Sequence, residues 1–284
     1  MQPAIPIVPR LVIFDLDGVV YRGDRPIPGV DTLIGALHGR GIGVRFATNN
    51  SMATRTEYAQ RLTGMGVAAT AAEVVTSTSA TIDHLRAHLP EVHRVLAVGA
   101  PGMIAELRSA GFAVTPVTDA APAGYHGGSL SERHDAVVCG LDQAIDYRRI
   151  AIAATAIRDG ARFVATNADA RYPVPEGFLP GAGAVVSAVR VASGVDPIVI
   201  GKPEPAMFES ILEEAGVSPD DALVVGDNPD ADIVAARRAR IRSILVLTGV
   251  ADVVTSEGLE GERRPDWVAT DPAAVAALLG LVLS

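Results

Sequence analysis

Leu11-Val12-Ile13-Phe14-Asp15-Leu16-Asp17-Gly18-Val19-Val20 is the stretch on which the reading of this chain turns. A run of apolar residues ends abruptly in an acid, a second acid follows two positions later, and a glycine comes next. An unbroken apolar run of this length is expected of a parallel strand covered on both faces, not of a half-exposed strand with alternating polarity. In an open parallel sheet ligands bind beyond the carboxyl ends of the strands, which is where Asp15 falls. Two carboxylates at this spacing can bind one divalent cation, or divide the work of nucleophile and general acid/base. Gly18 allows a sharp turn. Taken alone, the same residues would also suit a solvated turn.

Similar apolar runs recur at Gly43–Ala47, Ile198–Ile200, Leu223–Val225 and Ile244–Leu247. Between them lie Ala- and Leu-rich segments with helical spacing, such as Ala206–Ala215 and Asp230–Ala239. This alternation predicts a doubly wound parallel α/β sheet. The middle of the chain repeats the pattern by itself: Val95–Val98 reads as strand, Gly102–Ala110 as helix, then Val137–Cys139, Tyr147–Arg158 and Arg162–Ala165 as strand, helix and strand. We therefore expect residues 79–180 to form an inserted α/β domain between core parts 1–78 and 181–284, its end marked by the Gly/Pro-rich Leu179–Gly183. One continuous large sheet is the alternative. Trp267 and the apolar C-terminal segment read as core strand and helix.

Composition narrows the partners. With 284 residues, 49% hydrophobic content and a mean hydropathy of +0.29, the chain has ample material for cores, which excludes a disordered chain. A net charge of -9, from 33 acidic and 24 basic residues, argues against a nucleic-acid polymer as partner but not against a small phosphate ester. Cys139 is the only cysteine, so neither an intrachain disulfide nor a cysteine-based zinc site can form. Met1–Arg10, with three prolines, does not read as a signal peptide, and no apolar run approaches the ~18–20 residues of a membrane span. The expectation is a soluble cytoplasmic protein with no membrane partner.

Three further segments match the first in kind. Ala47-Thr48-Asn49-Asn50-Ser51 puts a hydroxyl at a strand end, followed by amides entering a helix; this suits phosphate oxygens, and equally a helix N-cap. Ile200-Gly201-Lys202-Pro203-Glu204-Pro205 puts a lysine between a short strand and a helix that starts near Pro205, where it can neutralise a carboxylate nucleophile and a phosphate. Val225-Gly226-Asp227-Asn228-Pro229-Asp230-Ala231-Asp232 ends another apolar run in Asp227, with Asp232 five residues on. Mg²⁺ takes hard oxygen ligands and needs only one or two carboxylates besides substrate and water. The sequence thus predicts four strand ends of a single sheet carrying acid-x-acid, Thr, Lys and acid, a complete set for phosphoryl transfer.

In this order, Asp15/Asp17, Thr48, Lys202 and Asp227/Asp232 resemble the four motifs of the haloacid dehalogenase-like superfamily. Phe14–Pro28, Ala47–Ser51, Gly140–Asp142, Ala165–Asp169, Pro180–Gly183 and Gly201–Phe208 further resemble its 4-nitrophenylphosphatase, or NagD-like, branch. The departures are small: Val19 and Val20 stand where Thr or Leu is frequent, and Asn228-Pro229 follows Asp227. The resemblance implies a Rossmann-like core with a large α/β cap inserted between the second and third motifs. It also implies a magnesium-dependent phosphatase acting on small phosphorylated metabolites such as phosphoglycolate, glycerol phosphate, pyridoxal phosphate, nucleotides or 4-nitrophenyl phosphate. In that scheme Asp15 is the nucleophile and Asp17 the general acid/base. Mg²⁺ is held by Asp15, the Asp17 backbone carbonyl and Asp227. Thr48, Asn49 and Asn50 bind phosphate, Lys202 supplies fixed positive charge, and Asp232 orients Lys202 or metal-bound water. An acid at position 17 favours hydrolysis of the intermediate over dehalogenase or pump chemistry. In the cap loop Ala168-Asp169-Ala170-Arg171-Tyr172-Pro173, Tyr172 and Arg171 are candidates for substrate choice; an exposed connecting turn is the alternative. By analogy, the cap offers a surface for a homodimer.

A catalytically idle phosphate-binding or regulatory protein of the same fold is the competing function. His84 and His88 share a helical spacing but lack a third ligand, and His38, His93, His126 and His134 form no metal spacing. Gly181-Ala182-Gly183 is too short for a dinucleotide fingerprint, and Arg237, Arg238, Arg240 and Arg242 read as a solvated basic face.

Overall fold

The computed structural model describes residue 5, residues 8–174 and residues 177–283, so most of Met1–Arg10 lies outside the described residues. The chain opens with β1 (Leu11–Phe14) and a short hairpin of β2 (Tyr21–Arg22) and β3 (Arg25–Pro26). Helix α1 (Val30–Gly39), β4 (Gly43–Thr48), α2 (Arg55–Gly64) and β5 (Val74–Thr76) follow. The middle holds α3 (Ser77–His88), β6 (Arg94–Val98), α4 (Pro101–Ser109), β7 (Ala113–Pro116), β8 (Ala136–Cys139), α5 (Tyr147–Arg158) and β9 (Arg162–Ala165). A second hairpin, β10 (Arg171–Val174) and β11 (Gly177–Pro180), leads to α6 (Ala182–Ser193) and β12 (Ile198–Val199). The rest comprises α7 (Ala206–Ala215), β13 (Ala222–Gly226), a π-helical turn (Pro229–Ile233) running into α8 (Val234–Arg238), β14 (Arg242–Val246), α9 (Val253–Ser256), β15 (Trp267–Ala269) and α10 (Pro272–Leu278).

These elements form two compact units. The first takes in the described residues up to Thr48, Arg55–Val75 and those from Lys202 onward; the second takes in Asn49–Thr54 and Thr76–Gly201.

The first unit holds a six-stranded sheet of order β15-β14-β13-β1-β4-β5. Strand β1 is central and runs parallel to both neighbours, with Phe14 opposite Phe46 on one side and Val225 on the other. Pairing continues parallel from β13 through β14 to β15. Leu11, Val12, Ile13 and Phe14 are each at most 1% exposed, as the unbroken apolar run requires of a strand covered on both faces. The chain winds outward from β1 to β4 and β5, then returns to its other side at β13. Connections on either side of β1 therefore part, and the carboxyl ends of β1, β4 and β13 border the crevice where such sheets bind ligands. Helix α1 buries Val30, Leu33, Ile34 and Leu37, the i, i+3, i+4, i+7 stripe of a helix with one face turned to a core.

The second unit has its own parallel sheet, of order β12-β9-β8-β6-β7. Leu96, Val137 and Cys139 from its strands pack with Ile152 and Ile157 of α5 and Val185 and Val189 of α6. Local chemistry sets the helix starts. Thr76 and Ser79 make a reciprocal capping box on α3, and Asp146 accepts the Arg149 N–H at the start of α5.

Three sequence expectations change here. Ile198–Ile200 was expected in the core sheet; β12 instead pairs with β9, Ile198 opposite Val164 and Val199 opposite Ala165, at the edge of the second sheet. The inserted unit was expected to span 79–180; it begins at Thr76, runs on to Gly201 and includes residues 49–54, because α6 seats Val185, Val186 and Val189 in the second core. Leu179–Gly183 is accordingly not a linker. A Cβ on Gly181 would lie 2.1 Å from the Asp169 carbonyl oxygen, and one on Gly183 would lie 2.4 Å from that of Ala168, so these glycines let the first turn of α6 press on the loop after β9. The helix expected over Asp230–Ala239 begins as the π turn, with the Asn228 side chain accepting the Asp230 N–H. Among the described residues no helix is long and apolar enough to cross a membrane.

Candidate active site

Asp15 extends the register of β1 by one residue, its N–H donating to the Val225 carbonyl at 2.9 Å. Lys202 Nζ donates to Asp15 Oδ1 at 2.5 Å, to Asp232 Oδ1 at 2.7 Å and to the Ala47 carbonyl at 3.2 Å. Three acceptors saturate an ammonium that is only 3% exposed. Lys202 does not follow a strand of the first sheet, as the sequence predicts. It follows β12, and the approach is fixed by Ile200 and Gly201 donating their N–H groups to Ala165 and Thr166. Only Asp15, Thr48 and Asp227 mark strand ends of the first sheet.

Asp232 is almost wholly buried. Its Oδ2 accepts the N–H groups of Asp227 at 3.1 Å and Asn228 at 3.0 Å, while Oδ1 faces Lys202. Both oxygens are thus engaged in holding the loop and the lysine. Asp227, next after β13, accepts the Val250 N–H at 2.5 Å. Its carboxylate is wedged between two glycines: a Cβ on Gly18 would come within 2.4 Å of Asp227 Oδ2, and one on Gly249 within 1.8 Å. Gly18 also has φ +80°, in the left-handed region. Thr248 Oγ1 donates to the Gly18 carbonyl at 2.6 Å, tying the turn after β14 to the turn after β1. Sequence reasoning missed this Thr248-Gly249-Val250 turn, although the apolar run Ile244–Leu247 ends in it just as β1 ends in Asp15.

Asp15, Asp227 and Asp232 offer carboxylate oxygens that all lie within 4.8 Å of one another, the one group of this kind among the described residues. Burial works against the Lys202 ammonium, but the charges of Asp15 and Asp232 outweigh it and raise its pKa. The carboxylates fare differently. Burial, then the charge of Asp232, pushes Asp227 up to about 7, against the pull of the Val250 N–H and Lys202. Asp15 is raised well above the usual carboxylate range by burial, with Lys202 opposing and Asp232 and Asp227 adding to the rise. Three carboxylates around one ammonium leave the cluster short of positive charge, and hard oxygen donors so close together fit a divalent cation of the Mg²⁺ type. Since Asp232 is occupied by Lys202 and two N–H groups, Asp15 and Asp227 are the carboxylates available to it. The Asp17 carboxylate is outside the cluster.

Asp17 is exposed, yet the surrounding protein withdraws enough hydration to raise its pKa, while Arg61 and Lys202 pull it down. Arg61 of α2 lies 4.4 Å from the centre of the Tyr21 ring and donates to the Gly23 carbonyl at 2.6 Å, anchoring the β2–β3 hairpin that follows Asp17. Arg61 was not singled out in the sequence. Thr48 is buried as the last residue of β4.

Asn49, Asn50 and Tyr172 belong to the second unit. The Asn49 amide donates to both oxygens of Asp169, at 3.0 and 3.1 Å. Asn50 Oδ1 accepts the Met52 N–H at 2.9 Å and shapes its own loop. Tyr172 is half-buried in β10, paired with Leu179, and the neighbouring Arg171 guanidinium lies 5.5 Å from the centre of the Phe178 ring. His84 and His88 do adjoin on α3, ring centres 4.7 Å apart, but no group of three metal-binding side chains includes them among the described residues.

Comparison with known proteins finds relatives over most of the chain. Residues 12–113 match the family model described as haloacid dehalogenase-like hydrolase, and residues 199–275 match a second, HAD-hydrolase-like model. The acid sugar phosphatase of Staphylococcus saprophyticus is 36% identical over 256 residues, covering 90% of this chain and 92% of the relative. A glycerol phosphate phosphatase from Mycobacterium tuberculosis, solved in complex with magnesium, superposes with a TM-score of 0.82 at 34% identity, covering 96% of this chain and 78% of that one. A 4-nitrophenylphosphatase from Thermotoga maritima gives a TM-score of 0.83 at 30% identity, covering 94% and 96%. Strand-end acids, a buried lysine between them and this extent of similarity lead to one assignment: the chain belongs to the haloacid dehalogenase-like hydrolases, in their phosphatase branch.

Proposed function

We propose that the protein is a magnesium-dependent phosphatase that hydrolyses small-molecule phosphate monoesters through an aspartyl phosphate on Asp15. The observation that carries this reading is the buried run Asp15 Oδ1–Lys202 Nζ–Asp232 Oδ1, at 2.5 and 2.7 Å, with Asp227 beside it. A carboxylate so placed at a strand end, with its counter-charge fixed by a third residue, is equipped to approach an electrophilic phosphorus whose oxygens carry negative charge.

Asp15 attacks phosphorus in line and forms an acyl phosphate as the ester P–O bond breaks. Asp17, whose raised pKa suits a group that must arrive protonated, gives its proton to the departing alkoxide. Now a carboxylate, Asp17 accepts a proton from the water that attacks the phosphorylated Asp15, releasing inorganic phosphate and restoring the nucleophile. Lys202 holds positive charge next to Asp15 throughout, and Asp232 keeps Lys202 in place. Thr48 and the Asn50 segment bind phosphate oxygens. Asp15, the Asp17 backbone carbonyl and Asp227 would hold Mg²⁺, which when bound neutralises charge on the transferring phosphoryl group. Tyr172 is the candidate for contact with the leaving group. Relatives named for acid sugar and glycerol phosphates support a phosphorylated polyol or sugar as the substrate class.

The test is release of phosphate from 4-nitrophenyl phosphate with and without Mg²⁺, followed by a panel of sugar, glycerol, glycolate, pyridoxal and nucleotide phosphates. Turnover that needs Mg²⁺ and vanishes in Asp15→Asn is expected. Retained phosphate binding with no turnover across the panel would mean a catalytically idle protein instead. For the two-step course, Asp17→Asn is expected to accumulate ³²P-labelled protein from a labelled substrate; its absence under single-turnover conditions would remove Asp17 as the base.

A further inference from the structure

Asn49 makes a poor free phosphate ligand, because so much of it is already used. Its side-chain amide is chelated by both oxygens of Asp169, and its carbonyl accepts Ser77 Oγ at 2.6 Å and Asn167 Nδ2 at 2.7 Å. Asn49 and Asn167 are 9% and 3% exposed, and Ser77 is fully buried, so these bonds are shielded from competing water. Asp169 is fixed in turn by its backbone. Its N–H donates to Asn167 Oδ1 at 3.1 Å, and its carbonyl accepts the Gly183 N–H at 2.9 Å, where Gly181 leaves no room for a Cβ. This gives the Gly181-Ala182-Gly183 sequence a purpose unrelated to nucleotides.

The position of Asn49 in the chain gives this network its importance. The polypeptide passes between the two units at Thr48–Asn49, at Val75–Thr76 and at Gly201–Lys202, as well as at Thr54–Arg55. Asn49 itself, Ser77 and Gly201 all converge: Ser77 bonds the Asn49 carbonyl, and a Cβ on Gly201 would lie 2.6 Å from Asn49 Oδ1. Thr48 and Lys202, two of the groups assigned to the reaction, are each joined by one peptide bond to a member of this knot. We infer that Asp169 is a positioning residue, which by clamping Asn49 fixes the backbone on which Thr48 and Lys202 are mounted. The inference rests on the proposed phosphatase reading for its kinetic consequence, not for its geometry.

Asp169→Asn, Asp169→Ala, Asn49→Ala and the Asp169→Ala/Asn49→Ala pair test it, with wild type as reference. Asp169→Ala is expected to lower kcat by tenfold to a hundredfold, on the order of what small misplacement costs, by the same factor for substrates with different leaving groups. The double variant is expected to be no worse than the worse single one. Asp169→Asn keeps one acceptor and is expected to recover part of the loss. Hydrogen exchange needs no turnover: Asp169→Ala is expected to speed exchange at residues 48–51 and 200–202 while the interior of β8 and β13 stays protected. A loss that depends on the leaving group would make Asp169 a substrate contact and overturn the inference. So would unchanged kcat with a lowered Tm, or unchanged exchange at both crossings. Should wild type show no turnover, the phosphatase reading fails and the exchange result still decides the clamp.

Discussion

A methyl group at position 249 would sit 1.8 Å from Asp227 Oδ2, so Gly249→Ala must displace either the turn after β14 or the carboxylate it encloses. Displacing an orienting contact typically costs roughly tenfold to a hundredfold in metal affinity. We expect the Mg²⁺ concentration for half-maximal activity to rise by about that factor, with an unchanged far-ultraviolet circular dichroism spectrum; an unchanged Mg²⁺ requirement would show that the Asp227 carboxylate does not depend on this confinement. Lys202→Met removes the ammonium that faces Asp15 and the buried Asp232 and is expected to destabilise the metal-free protein by about 3 kcal/mol or more at pH 8. Denaturation at pH 5 should recover part of that loss, since protonated carboxyls no longer need the partner. Asp15 and Asp227 were legible in the sequence because an apolar run that stops at an acid is a local pattern. Gly249 was not, because its need for glycine comes from a side chain on a neighbouring strand end. Asp169 was visible only as part of a loop; its hold on Asn49 spans 120 residues of sequence, which no local pattern encodes.

At the scale of elements, apolar content told strand from helix but not one sheet from the other. The runs at β1, β13 and β14 went to the expected sheet, whereas β12 is short and reads the same in either place, and only its pairing with β9 decides. The boundary at 180 failed for a related reason: turn-forming residues mark both linkers and tight packing, and Gly181 serves the latter. The second sheet depends on one acid at its strand entrances. Asp135 Oδ2 accepts the N–H groups of Arg94 at 2.7 Å and His93 at 3.0 Å, tying the start of β6 to the start of β8, and these bonds, that from Arg94 foremost, lower its pKa. A group depressed on folding stabilises above its unfolded pKa of about 3.9 and loses that contribution as pH falls through the folded value. Asp135→Asn is therefore expected to cost about 1 kcal/mol at pH 7, discounted for its exposure, and the gap to wild type is expected to narrow steadily as pH falls below about 3.9. A cost that persists unchanged in acid would locate the effect in packing, not in charge.

For the molecule as a whole, the burial of Asp227, and after it the charge of Asp232, makes stability depend on pH in the sense opposite to Asp135. Its folded pKa of about 7 lies above the unfolded value, so the metal-free protein holds a proton there that the unfolded chain releases. Metal-free stability should fall as pH rises from 5 to 8. Mg²⁺ should reverse the trend, adding about 2.7 kcal/mol at a hundredfold excess over Kd at pH 8, and less below pH 7, where it must displace the proton. Calorimetric scans with and without Mg²⁺ at both pH values check this, and a metal-free Tm that climbs with pH would contradict it. The route of the chain has one more consequence. Asp15 and Lys202 are 187 residues apart, and Lys202 follows a strand that is held by the second sheet. On the ribosome the acid emerges early and its ammonium late, after all of the second unit has been made. A nascent chain can thus offer β4 to β1 long before it can offer Asp15 its ammonium, so the charged centre of the first unit can be completed only after the whole sequence of the second unit has been made.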